Sequence, residues 1–297
     1  MLTEAQYVEQ QRSLGRRIHE HDGVWWDAPY PFYSKPTFEF RAFAPGEAKP
    51  RWSRSFMGYS HQVPEPAMGN RFAEFMILEG AALRAFSMAG LRSEKRNQVR
   101  KGLKRCDVLP IPDMRKHVEE ARAINIAQAE RHRAHGNLGS PASHYRDRTS
   151  AWESEFMRQA SLPGWERWGA FVQGQLVAYM NAVQIESVLL ILYMKTHTDF
   201  MALCPTDAIY FTVLDQAARN AACRRIVNGG VDREGLNRYK EQFLFKRVPV
   251  PYFTARQALY RVARSVWTTA ARIRSDGATR PSVACDTAVP HDERAVR

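Results

Sequence analysis

Cysteine is scarce. The 297 residues hold four, Cys106, Cys204, Cys223 and Cys285. They lie far apart with no C-x-x-C pair, which removes a disulfide framework and a cysteine-built zinc site as organising features. No run of 18 apolar residues occurs, so no membrane-spanning segment is expected. The first ten residues, Met1 to Gln10, lack the apolar core of a signal peptide, and a cytoplasmic location is the expectation. Acidic charge is also short, with 31 Asp and Glu against 43 Lys and Arg for a formal net charge of +12. That excess selects anionic partners: nucleic acid, an anionic membrane face or an anionic small molecule. Part of it lies in the C-terminal tail. His132 and His135 have no carboxylate or third ligand at helical spacing, so no metal is expected.

The residues that are present organise around positions 188–245. Val188 to Met194 is a short apolar run that reads as a buried strand. A loop, Lys195 to Cys204, leads to Pro205-Thr206-Asp207, where Pro at the first turn and Asp nearby suit the start of a helix running to Asn220. A short strand at Arg225 to Val227, a polar glycine turn from Asn228 to Asp232 and a second helix from Glu234 to Phe243 close the unit. A strand feeding a helix N-terminus presents open backbone N–H groups, which suit an anion such as a pyrophosphate. An ordinary crossover with no ligand accounts for the same spacing. Cys204 at the mouth of that helix reads either as a thiol of lowered pKa or as a plain buried one.

Elsewhere, residues 3–20 read as a helix, Pro36 to Phe43 as a half-buried strand and Trp52 to Tyr59 as a second strand. Asn70 to Leu91 reads as an amphipathic helix with Asn70 as N-cap. Ser93 to Lys104 reads as a basic helix on which Arg96 and Arg100 share a face. Such a pair reads either as a solvated face or as a clamp for phosphate or carboxylate. A brief strand at Val108 to Ile111 and helices at 113–132 and 140–159 follow. Trp165 to Val172, Gln175 to Ile185 and Val188 to Met194 form a three-stranded meander with tight turns. Lys246 to Phe253 holds two prolines and reads as an edge strand. Residues 255–274 read as a basic amphipathic helix, suited to an anionic membrane or to packing on the domain, and 275–297 as a disordered tail. The fold class is a mixed α/β sheet flanked by helices. The expected division is 1–110, 111–253, the helix 254–274 and the tail.

The meander, the strand ending Leu192-Tyr-Met-Lys195, the helix after Pro205 and the final strand and helix resemble the core of the GNAT (Gcn5-related N-acetyltransferase) superfamily. Arg96-Asn-Gln-Val-Arg-Lys-Gly-Leu-Lys104 is similar to the basic helix of its FemAB-like branch. Gly229-Gly230 followed by Leu236-Asn-Arg-Tyr-Lys-Glu-Gln-Phe243 is similar to that branch's closing F-K-x-x-F-G signature, with Tyr239 for Phe and Leu244 for Gly. The resemblance covers roughly residues 90–253, and the N-terminal half resembles a degenerate GNAT-like subdomain. The superfamily's pyrophosphate loop, Q/R-x-x-G-x-G/A, corresponds to Phe200 to Ala208, which contains no glycine.

The resemblance implies a mostly antiparallel central sheet and an acyltransferase with acetyl-CoA or another acyl-CoA as co-substrate. Backbone groups at Tyr193, Met194 and Lys195 would face the thioester, and Pro205, Thr206, Asp207 and Ala208 would hold the pyrophosphate. His197, Asp232 and Tyr239 are the candidate proton carriers. Each has a plainer reading, as a surface histidine, a helix cap and a core tyrosine. Lys35, Arg96 and Arg100 are candidates for an anionic acceptor, such as an amine on a nucleotide-linked sugar or envelope precursor. The expected activity is transfer of an acyl group from acyl-CoA to an amine. A FemAB-type transferase using aminoacyl-tRNA and a non-catalytic binding protein of the same fold are the alternatives.

Overall fold

The computed structural model describes residues 1–135, 141–147, 149–256 and 259. In chain order the elements are α1 (Glu4–Ser13), β1 (Ile18–His21), β2 (Val24–Tyr30), β3 (Tyr33–Pro36), α2 (Trp52–Ser55), β4 (Gly58–Gln62), β5 (Arg71–Glu79), α3 (Gly80–Arg84), α4 (Ser93–Arg105), β6 (Asp107–Pro110), α5 (Val118–Ala134), α6 (Ala142–Arg146), α7 (Thr149–Ala160), β7 (Trp165–Val172), β8 (Gln175–Ile185), β9 (Val188–Thr196), α8 (Pro205–Arg219), β10 (Arg225–Gly230), α9 (Glu234–Glu241) and β11 (Lys246–Ala255). The expected basic helix 255–274 and tail 275–297 fall almost wholly outside the described residues.

Two compact units emerge, one of Met1–Leu2 and Met76–Arg247, the other of Thr3–Phe75 with the chain from Val248. In the second, α1 is shorter than the pattern of residues 3–20 suggests. Thr3 caps it in a reciprocal capping box with Gln6. The remainder turns into β1, joined to β2 through Asp22 and Gly23, both at positive φ as a tight hairpin requires. Strand character ends at Pro36, so the alternation at 36–43 does not make a strand. Residues 52–55 form one helical turn ahead of β4. Trp26, fully buried, packs edge-on against Tyr59.

The largest departure concerns residues 70–91. The 3.6-residue spacing of apolar side chains is there, but Phe75, Met76, Ile77 and Leu78 are consecutive and all buried. A helix would send four successive residues in four directions, whereas a strand covered on both faces buries them all. Asn70 is a sheet stitch instead of a helix cap: its side chain donates to the Thr254 carbonyl at 2.9 Å and accepts the Thr254 N–H at 2.8 Å. The prolines of β11 do not confine it to an edge, because it lies between β4 and β5. Its pairing with β4 begins at Tyr252, past Pro249 and Pro251, so no bond of that ladder asks for a missing N–H.

In the larger unit the sheet runs β5-β10-β9-β8-β7-β6. The meander β7-β8-β9 is antiparallel and β10 joins β9 in parallel. The β7–β8 turn is Gln173-Gly174, both at positive φ. Every residue of β8 from Leu176 to Ile185 is buried, which needs cover on both faces. One core holds Met180, Ile191, Ile209, Leu214 and Phe243, drawing in α8 and the end of α9. The other holds Ile124, Tyr145, Trp152, Phe156 and Tyr179, drawing in α5, α6 and α7.

Candidate active-site cleft

The cleft is built by a failure of pairing. β9 and β10 match only at Val188–Leu190 and Arg225–Val227, yet β9 runs on to Thr196 and β10 to Gly230. Beyond Leu190 the two strands part. β9 also carries a bulge: Asn181 faces Tyr193 and Ala182 faces Ile191, which leaves Leu192 without a partner on β8. A bulge re-aims the peptide groups beside it. Alternate peptide groups of residues 191–195 therefore point into an opening with no neighbouring strand to claim them.

Side chains alternate along this stretch. Tyr193 lies against the α5–α7 core, where its hydroxyl receives the Asn181 side-chain amide at 2.5 Å and its ring stands edge-on to Tyr179. Met194 packs on the α8 side. Lys195 turns back to the α5 face, and burial lowers its pKa. Thr196 bonds Thr206 through their hydroxyls at 2.6 Å, fixing the end of β9 to the first turn of α8.

The start of α8 is furnished from within. Cys204 caps it in the left-handed conformation, φ 59°, a setting rare for a residue with a side chain. Burial and then the nearby Asp207 charge raise the Cys204 thiol's pKa, so the lowered-pKa reading fails. Helix α4 lies across this turn. A Cβ at Gly102 would stand 2.9 Å from the Ala208 Cβ and collide with the Cys204 carbonyl oxygen, so only glycine permits the approach. From α4 the buried Lys95 ammonium reaches Asp207 at 2.6 Å and sits 4.4 Å from the centre of the Tyr239 ring. Tyr239 is a core residue among Tyr210 and Phe243, and its pKa is raised well above normal by burial and then by the Asp207 charge. In this first turn Pro205 offers no N–H, the Thr206 hydroxyl is bonded to Thr196, and the Asp207 carboxylate is paired with Lys95.

The other side of the opening is β10. Gly229, at φ +69°, turns the backbone. The Lys240 ammonium of α9 donates to the Asn228 carbonyl at 2.8 Å and reaches the Gly230 carbonyl at 3.5 Å. Lys240 is buried, and burial drives its pKa down to about 8, against a smaller upward pull from Asp232. Asp232 is fixed through its backbone, donating to the Asn237 side chain at 2.9 Å and accepting from it at 2.6 Å. Sequence reasoning named Asp232 and Tyr239 but missed Lys240, although it stands in the signature segment. The signal was a lysine one position after a tyrosine whose neighbours face the core.

The remaining candidates lie apart. His197 begins the short helical turn Thr198–Leu203, accepts the Asp199 N–H at 3.4 Å and stands edge-on to Phe200. Arg96 reaches only the Ala89 carbonyl at 3.5 Å, and Arg100 is exposed. Lys35 belongs to the other unit, paired with Glu39. Burial alone would lower its pKa, but the Glu39 carboxylate outweighs burial and raises it. Among the described residues no three His, Cys, Asp or Glu side chains converge as a metal site. No described helix is long and apolar enough to cross a membrane.

No family model and no curated protein matches this sequence. Solved structures do. FemX matches with a TM-score of 0.59 at 13% identity, over 86% of this chain and 92% of that one. The C-terminal domain of a putative lysylphosphatidylglycerol synthetase from Agrobacterium fabrum matches with a TM-score of 0.57 at 12% identity, over 88% and 91%. L-PGS from Bacillus licheniformis matches with a TM-score of 0.56 at 14% identity, over 90% and 98%. The chain has the GNAT/FemAB-like fold, a mostly antiparallel mixed sheet flanked by helices.

Proposed function

We propose that this chain is an aminoacyltransferase, moving an amino acid from its ester on RNA to an acceptor amine or hydroxyl in the cleft between β9 and β10. The observation that carries the donor's identity is α4. Its inner face, Lys95, Val99 and Gly102, packs against the first turn of α8, beside the place where the resemblance would put a coenzyme A pyrophosphate, and pairs Lys95 with Asp207 there. Its outer face carries Arg92, Arg100, Lys101, Lys104 and Arg105, all exposed and none in an ion pair, with Glu94 the one carboxylate on the helix. An unneutralised row of cations is what an RNA backbone requires.

The chemistry asks for three things. The ester carbonyl needs donors for its developing negative charge, and the unpaired peptide groups around Leu192 supply them. The acceptor must lose a proton, and a lysine with a pKa near 8 is close enough to neutrality to take it. The leaving ribose hydroxyl needs a proton back, which the same ammonium can return. The acceptor class follows the named neighbours, a lysylphosphatidylglycerol synthetase among them: an envelope lipid or a cell-wall precursor.

Acyl-CoA remains the second reading, favoured by the open first-turn N–H groups that every helix leaves. Thermal unfolding separates the two. A ligand at 100 times its dissociation constant adds about 2.7 kcal/mol, so aminoacyl-tRNA should raise the melting temperature and millimolar acetyl-CoA should not. Protection by acetyl-CoA alone overturns the proposed donor.

A further inference from the structure

Three aromatic rings meet at the surface of the unit built from Thr3–Phe75 and the chain from Val248. β2 turns into β3 through Pro31 and Phe32, with Tyr30 paired to Tyr33. Phe32 sits at φ 59°. Pro followed by a positive φ is the pattern of a type II turn, whose second central position favours Gly or Asn. A bulky ring is strained there. Burial does not offset that strain, because Phe32 is 48% exposed. Strain kept at an exposed position points to a use for the side chain. The Phe32 ring lies 4.3 Å from that of Phe56, tilted by 35°. Trp52, 69% exposed at the start of α2, lies 6.4 Å from Phe56. The Phe32 carbonyl accepts the Met57 N–H at 2.9 Å, which ties the two segments together.

Cations surround the rings. Arg51 and Arg54 lie on either side of Trp52 in the chain; both are exposed, and among the described residues neither is in a salt bridge. Arg256, also exposed, donates from its guanidinium to the Phe56 carbonyl at 2.5 Å. No Asp or Glu occurs from residue 28 to 38 or from 48 to 64. The sequence after Arg256 adds Arg261, Arg264, Arg272 and Arg274 before its first carboxylate, Asp276.

An exposed apolar patch rimmed by polar groups marks an interaction surface, and the charge around this one selects an anionic occupant. A protein partner needs more area: the exposed parts of these rings offer ~300 Å², against about 800 Å² per partner in a stable interface. Stacking of RNA bases needs open ring faces, whereas Phe32 and Phe56 lie against each other. An anionic bilayer asks for neither a large flat area nor free ring faces. It takes aromatic edges into the headgroup layer and draws cations to its phosphates.

We propose that Phe32, Trp52 and Phe56, with Arg51, Arg54 and Arg256, form a surface that docks the chain on an anionic lipid bilayer. Docking needs no donor and no acceptor, so it stands or falls independently of the aminoacyl-transfer reading.

Flotation of the full chain with mixed phosphatidylglycerol and phosphatidylcholine vesicles, against phosphatidylcholine alone, tests the surface. The wild type should partition onto the mixed vesicles, and less so as salt is raised. Trp52→Ser and Phe32→Gly should each lower that partition by about fivefold or more. Arg51→Gln combined with Arg54→Gln should lower it by about tenfold or more, at about fivefold for each cation near an anionic surface. Leu109→Ser, at an exposed apolar residue of β6, should leave it unchanged. Phe32→Gly relaxes the turn, so its melting temperature should not fall, which separates lost docking from lost folding. Quenching of tryptophan emission by brominated-chain lipid should be strong in the wild type and weak in Trp52→Ser. No partition onto the mixed vesicles, or partition that Trp52→Ser and Phe32→Gly retain in full, overturns the proposal. So does a Trp52→Ser variant that loses tRNA affinity with vesicle binding intact, which would make the rings an RNA platform. A dimer in light scattering that Trp52→Ser splits, again with vesicle binding intact, would make them a subunit contact and overturn it equally.

Discussion

Lys240 is the residue on which structure and chemistry press hardest. Its folded pKa near 8 lies below the ~10.4 of an unfolded lysine. Between those values the unfolded chain binds more protons, so this group's contribution to stability rises with pH through that window. Below pH 8 the folded chain carries the full cost of a buried ammonium, about 3 kcal/mol from the shift. Chemical denaturation of wild type and Lys240→Met from pH 7 to 10 should show a stability difference that moves by a few kcal/mol in favour of the wild type. A difference that stays flat would mean the lysine is not desolvated. Sequence alone exposed Lys240 as part of a motif but not as a buried base, because burial depends on Gly229 and on carbonyls that only the parted β10 presents. Tyr239 was legible only as a phenol in a helix. That its ring lies under the Lys95 ammonium, 144 positions earlier in the chain, needs the packing of α4 on α8.

At the scale of elements, the meander, α4, α5, α8 and α9 were readable because their periods and turns agree with what they bury. Of the glycine turn read at 228–232, residues 228–230 are strand instead, since Gly229 bends the strand without ending it. β5 was misread because a run buried on two faces satisfies a helical stripe as well as a strand. β11 was misplaced because its ladder with β4 begins past both prolines, and a proline forbids a ladder bond only where its N–H would be used. Helix α4 has two faces with separable roles. Neutralising its outer face with Arg100→Gln, Lys101→Gln and Lys104→Gln should leave the fold intact and weaken RNA binding. Each lost phosphate contact removes roughly 0.7–0.9 from the slope of log affinity against log salt, so fluorescence titration at several salt concentrations should show the slope reduced by about 2 to 3. An unchanged slope would place the RNA elsewhere.

For the whole molecule, the fold was legible in the sequence between about residues 90 and 245, where local pattern and global arrangement coincide. The site was legible in outline only. A strand leading to a helix start suggested a pyrophosphate cradle, and what the sequence did not announce is that α4 packs against that turn through Gly102 and the Lys95–Asp207 pair. The opening that remains, between β9 and β10, is defined by where pairing stops, and no residue type announces that. The claim that this opening holds an aminoacyl ester is tested most directly by comparing charged with uncharged tRNA of the same sequence. The wild type should bind the aminoacylated form at least tenfold more tightly. Lys240→Met should narrow that gap while keeping the affinity for uncharged tRNA. Equal affinity for the two forms in the wild type would contradict it.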